Sequence, residues 1–104
     1  MAQFDAHRNP VRLDNEQIPF VLDVQNDFLD VLPTRIVVPL IRAEQFRNRI
    51  HRLHPEFLIS DLRLIMVTTE AGVLPRSALG PPVASLLHRR AEIIGAIDML
   101  ITGI

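Results

Sequence analysis

The sequence has 104 residues, 48% apolar and 22% charged, with eleven basic residues against twelve acidic ones and a formal net charge of -1. That length gives one compact domain spanning residues 1–104, and the charge balance excludes a global field that would gather nucleic acid or anionic lipid. The absence of cysteine excludes disulfides and fits a reducing, cytoplasmic setting.

The first ten residues, MAQFDAHRNP, carry no apolar run behind a positive segment, so no secretory signal is read there. From Pro19 the sequence PFVLDVQND alternates. Phe20, Leu22 and Val24 fall on one face and Val21, Asp23 and Gln25 on the other, which predicts a half-buried strand ended by Asn26 and Asp27. RIVVPLI, Arg35 to Ile41, predicts a second strand in which Pro39 must lie at an edge, a bulge or the strand end. Arg42 to His54 has Phe46, Ile50 and Leu53 at helical spacing between Pro39 and Pro55, a pattern that slightly favours helix. Phe57 to Ile59 and Leu62 to Thr69 flank Ser60 and Asp61 and predict a hairpin.

Gly72 to Pro82 holds two glycines and three prolines and reads as a loop closing the β region. A single amphipathic helix is predicted from Val83 to the C-terminus. Val83, Leu86, Leu87, Ile93, Ile94, Ile97, Leu100, Ile101 and Ile104 share one arc, with Ser85, His88, Arg89, Glu92 and Thr102 opposite. Arg90 falls inside the apolar arc, where it must snorkel or meet a carboxylate. The most apolar stretch, Ile93 to Ile104, is too short and, with Asp98, too polar to span a bilayer. Gly103 lets the chain leave the helix in a left-handed turn, freeing Ile104 to project.

Signatures of common small enzymes are missing: there is no phosphate loop, nucleophile elbow or HExxH pair. His51 and His54, with Glu56 nearby, lack an obvious third ligand, so no metal or other cofactor is expected. Arg42, Arg47, Arg49 and Arg52, opposed only by Glu44, form one local basic patch, which reads as a solvated face or as a site for an acidic peptide or nucleic acid. All eleven basic residues are arginine, which suits genomic base composition as well as selection for bidentate contacts.

Five blocks in this order, VLDVQNDFLD (Val21 to Asp30), RIVVPL (Arg35 to Leu40), TTEAGVLPRSALG (Thr68 to Gly80), VASLLHR (Val83 to Arg89) and the terminal Gly103-Ile104, resemble the CcdB toxin family of addiction modules. The resemblance implies an SH3-like small barrel, mainly β, with a five-stranded antiparallel sheet, a small extra sheet and a long C-terminal helix. It implies strand and loop, in place of helix, over Arg42 to His54. It also implies a homodimer that binds the A subunit of DNA gyrase, is neutralised by a CcdA-like antitoxin, and acts without catalysis, direct nucleic-acid contact or a membrane.

Carried over by that resemblance, the gyrase face comprises Phe28 and Leu29, helix positions Asp98 and Ile101, and the end Thr102, Gly103 and Ile104. The basic patch Arg42, Arg47, Arg49 and Arg52 is assigned to the antitoxin. Thr102 departs from the family's Trp-Gly-Ile end, whose tryptophan stacks on a gyrase arginine, so an antitoxin-binding homologue that no longer poisons gyrase is the first alternative. The second is an RNA-cleaving toxin of the same fold. Its base would come from Asp23, His7 or Glu70, and its phosphorane-stabilising cation from Arg35 or Arg63.

Overall fold

The computed structural model describes residues 2–11 and 16–104. Seven strands and one helix follow in order: β1 (Asp5–Arg8), β2 (Phe20–Asp23), β3 (Thr34–Arg42), β4 (Glu56–Ile59), β5 (Leu62–Met66), β6 (Gly72–Pro75), β7 (Pro82–Ser85) and α1 (Arg90–Thr102), with short 3₁₀ turns between them. The sheet is antiparallel, ordered β4-β5-β3-β2-β1-β7, with β6 added to β3. It curls into a half-barrel with α1 against its inner face. The main sheet and the small extra sheet implied by the resemblance are thus one sheet, joined through β3.

β3 explains how the long apolar run copes with its proline. On one side its residues 37–40 pair with β2. On the other side residues 34–37 pair with β6 and residues 40–42 with β5, and Pro39 sits at the changeover. The missing N–H falls where no ladder bond is required, while the Pro39 carbonyl still accepts from Val67 N–H at 3.0 Å. The β4–β5 hairpin forms as predicted. Ser60 and Asp61 have φ of +50° and +64°, as a two-residue turn with both central residues left-handed requires.

β2 is buried on both faces rather than one. Phe20 and Leu22 join Phe4, Ala6, Val38, Leu40, Phe57, Leu64, Met66, Leu86, Ile93 and Ala96 in the main core. Val21 lies with Val37, Leu79 and Leu74 in a second, smaller cluster on the opposite face. What covers that face is the segment read from sequence as a plain loop. Its Val73 and Leu74 pair with β3 as β6, and its remainder turns back so that Leu79 packs on Val21. Gly72 and Pro75 mark the strand's ends, which is where glycine and proline are tolerated in an edge strand.

Two further expectations are corrected. β1 went unread because Asp5-Ala6-His7-Arg8 has no apolar alternation, yet it pairs with both β2 and β7. The predicted helix begins at Arg90, not Val83: Pro82 to Ser85 form β7, and Leu87 to Arg89 form a 3₁₀ turn. Pro81-Pro82 suits an edge-strand start as well as a helix start, and pairing with β1 decides between them. Leu86 still reaches the core, with its N–H bonded to Phe4 O at 2.8 Å, but it does so before the helix starts. Arg90 is exposed at the first helical position and has no apolar arc to escape.

Over Arg42 to His54 the chain finishes β3, makes a 3₁₀ turn at Ala43–Gln45 and continues without helix, as the resemblance implies. Phe46 packs edge-on against His54, with ring centroids 4.8 Å apart. Burial pushes the His54 pKa below its ordinary value, and its Nδ1 accepts from Ile50 N–H at 3.0 Å.

Within α1 the buried positions are Ile93 and Ala96, with Ile97 at the core's rim. Gly95 is a helix interior glycine whose added Cβ would meet nothing within 4 Å. Gly95→Ala should therefore raise folding stability by about 1 kcal/mol, through lower backbone entropy in the unfolded chain and better helix propensity. Urea denaturation checks it, and a loss of stability would show that the space beside Gly95 is needed.

Candidate functional site

The 26–30 segment is a turn built by its own side chains. Asn26 caps it, accepting Phe28 N–H at 2.8 Å, and Asp27–Leu29 form one 3₁₀ turn closed by Asp30 N–H to Asp27 O at 3.1 Å. From the N-terminal side, Gln3 N–H donates to Asp27 Oδ1 at 2.9 Å. The polar residues are therefore occupied below the turn, and the apolar ones are turned outward. Phe28 is 92% exposed and Val31 88%, with Leu29 and Leu32 about half exposed.

Beneath the turn lies a fully buried arginine. Arg35 Nε and Nη2 meet Asp23 Oδ2 at 2.9 and 2.8 Å, Nη1 meets Asp30 Oδ1 at 3.1 Å, and Nη2 donates to Gln25 O at 3.1 Å. Two forces oppose on Asp23: desolvation, the larger, raises its carboxyl pKa, while Arg35 and the Gln25 amide pull it back down. Gln25 spans the loop, donating to Leu29 O and Thr34 O and accepting from Ile36 N–H at 3.0 Å.

At the other candidate region, α1 ends as the terminal glycine predicts. Gly103 has φ +76°, and its N–H bonds to Met99 O at 3.0 Å. Asp98, Ile101, Thr102 and Ile104 are all exposed, Ile101 and Ile104 each at 76%. The Thr102 hydroxyl donates to Asp98 O at 2.7 Å and accepts from Ile104 N–H at 3.3 Å, so threonine here orders the last turn and the tail. Among the described residues no hydrogen bond or ion pair joins this end to the Phe28 turn.

The basic patch divides. Arg42 Nε bonds to Glu16 O, and Arg49 donates to His54 O at 2.7 Å and lies 3.6 Å from Glu56. Arg47 and Arg52 are exposed. Arg63 grips Glu56 through two hydrogen bonds and, helped by Arg49 and His51, holds its carboxyl below the ordinary range. His51 is exposed while His54 is buried, and among the described residues no cluster of three metal-type ligands forms. Nor is any described helix long and apolar enough to cross a membrane.

The residues considered for RNA cleavage are differently placed, Glu70 and Arg63 being exposed and the others enclosed. Asp23, His7 and Arg35 are completely buried, Asp23 and Arg35 are spent on each other, and the exposed Arg63 is paired with Glu56. A phosphodiester has no access to the buried groups. Sequence reasoning missed Val31 and Leu32 as exposed apolar neighbours of Phe28 and Leu29, although the run FLDVL ahead of Pro33 was visible. It also missed Arg76, discussed below.

A curled antiparallel sheet carrying one C-terminal helix, a pinned apolar turn and an exposed apolar helix end define a small mainly-β protein whose exposed apolar residues gather at two places. The family model described as CcdB protein matches residues 3–103. The chain belongs to the CcdB family, and with it to the toxins of toxin–antitoxin modules.

Proposed function

We propose that this chain is a toxin that binds the A subunit of DNA gyrase as a homodimer and is neutralised by a cognate antitoxin. The observation that carries the reading is the pinned turn that holds Phe28 outward in a chain of the CcdB family. An exposed aromatic on an ordered turn is costly in water and serves as an interface anchor. Leu29, Asp98, Ile101, Thr102, Gly103 and Ile104 complete the gyrase face, and exposed Ile94, Leu100 and Ile101 on α1 support pairing of two copies. The action is binding in the cytoplasm, with no cofactor, no catalytic residue, no direct nucleic-acid contact and no membrane.

The test is calorimetry with a gyrase A fragment, alongside light scattering at micromolar concentration. Twice the chain mass and measurable binding are expected, with Phe28→Asp weakening binding by more than about ten-fold. A dimer that binds the antitoxin and shows no affinity for gyrase A would replace the reading with that of a homologue that has lost its target.

The antitoxin surface is assigned to Arg42, Arg47, Arg49 and Arg52, with the exposed Arg47 and Arg52, which form no ion pair among the described residues, as its chief cations and an acidic segment as its ligand. Exposed pairs contribute little individually, so the charge acts mainly on association rate. Charge reversal at Arg47 and Arg52 should slow antitoxin association several-fold at low salt and leave it nearly unchanged at high salt, as measured by surface-immobilised kinetics. Salt-independent association would overturn the assignment.

A further inference from the structure

The turn that displays Phe28 is tied to a part of the chain 46 residues away. Arg76, in the 3₁₀ turn after β6, donates from Nη1 to Asp30 O at 2.6 Å and from Nη2 to Asp30 Oδ2 at 3.3 Å. Its backbone N–H donates to Pro33 O at 2.8 Å. Asp30 meanwhile gives its other carboxylate oxygen to Arg35 at 3.1 Å. Both ends of the 30–33 stretch are therefore anchored to one residue, and the exposed Val31 and Leu32 are held between the anchors.

This arrangement separates folding from display. Arg35 is fully buried and belongs to the fold, whereas the Arg76 and Asp30 side chains are each a little over two-fifths exposed, and among the described residues the side-chain bonds of Arg76 all go to Asp30. Nothing in the main core depends on Arg76, since the Asp23–Arg35 pair and the β2–β3 ladder stand without it. What it does hold is Asp30 and the Pro33 carbonyl, within and beside residues 28–32, which carry four exposed apolar side chains.

From this geometry we infer that Arg76 is a positioning residue for the Phe28–Leu32 ridge. It keeps the ridge in its binding-competent form before the partner arrives. This rests on the reading of that ridge as the gyrase face. A loop fixed in advance spares the ordering cost at binding, and a loop that is competent only part of the time lowers affinity in proportion to the competent fraction. The effect on the partner is therefore indirect, through the fraction of molecules whose turn is in place. Lysine can restore the charge at position 76, but not the two-pronged grip on the Asp30 carbonyl and carboxylate.

The experiment compares amide exchange by NMR in the free protein with association kinetics against a gyrase A fragment, for the unaltered chain, Arg76→Ala and Arg76→Lys. In Arg76→Ala, exchange at Leu29, Asp30 and Leu32, whose N–H groups close the turn, should rise about ten-fold or more, while amides of β2, β3 and α1 keep their rates. Association should slow in proportion to the lost competent fraction, about two-fold or more if the turn is out of place at least half the time, and lysine should restore part of both effects. Unchanged exchange in the turn, or a rise spread evenly over β2, β3 and α1, would overturn the inference. If Arg76→Ala does not fold, Arg76→Gln, which removes the guanidinium and leaves Asp30 and Arg35 untouched, must give the same local pattern. Failure of the unaltered chain to bind gyrase A would overturn the target reading, and the exchange measurements would still decide the role of Arg76.

Discussion

Arg35→Leu should cost about 3–5 kcal/mol of folding stability near neutral pH, the largest single loss expected in this chain. The guanidinium is fully buried and serves Asp23, Asp30 and the Gln25 carbonyl at once; leucine strips the Gln25 carbonyl of that donor and leaves Asp23 with only the Gln25 N–H and Asp30 with only Arg76. Of these, Asp23 matters most. It is itself completely buried, and a carboxylate stripped of its cation in that setting is better protonated. Desolvation already raises its pKa above 3.8, and in the variant the chief opposing force is gone. The folded form then binds more protons than the unfolded chain over the window above 3.8, so stability falls as pH rises through it. The penalty should accordingly be smaller near about pH 4, where only the pH-independent loss at the Gln25 carbonyl and in packing remains, than at about pH 7, as read by urea denaturation at both. A domain of this size has about 5–15 kcal/mol to lose, so the variant should remain folded in acid and become marginal at neutrality. An equal penalty at both pH values would mean that the Gln25 N–H alone keeps the buried Asp23 ionised.

The same residues show where sequence reading stops. β2, β3 and the β4–β5 hairpin were legible because alternation, a β-branched run and a two-residue turn are local signals. β1 and β7 were not, because Ala6 and His7 become buried through pairing on both sides, and no window of the sequence records that. The Gly72–Pro82 stretch misled for a related reason. Its prolines announce a break, but Pro75 ends β6 and Pro82 starts β7, and these two strands exist because β3 and β1 offer free edges. At the candidate site, Phe28 and Leu29 were marked by resemblance and prove exposed. What holds them, Arg35 with Asp23 and Arg76 with Asp30, joins positions 12 and 46 apart whose pairing depends on the folded topology. Arg35 reads in sequence as the polar end of an apolar run. It becomes the buried hub of the site because the 26–30 turn and the Gly72–Leu79 segment close over it.

Thr102→Trp should strengthen binding to a gyrase A fragment by ten-fold or more if the partner presents the arginine that the family's tryptophan meets, a desolvated cation–π contact being worth about 2 kcal/mol per site. Thr102 is exposed on the last helical residue, so an indole there enters solvent and displaces no core atom. The substitution does remove a hydroxyl that bonds to Asp98 O and orders the Ile104 amide. Losing those exposed bonds costs little, about 1 kcal/mol at most, because water replaces them. The helix end itself survives, since the left-handed Gly103 closes it through Met99 O independently of residue 102. The expected net result is tighter binding, with a small drop in thermal stability. Calorimetry on both proteins decides it. Nanomolar binding by the unaltered chain would place the aromatic contact at Phe28, the one fully displayed ring on the ridge, and Phe28→Ala should then abolish the binding. Equal, weak binding by both proteins would mean that the helix end no longer meets gyrase, leaving the Phe28–Leu32 ridge to engage whatever target remains.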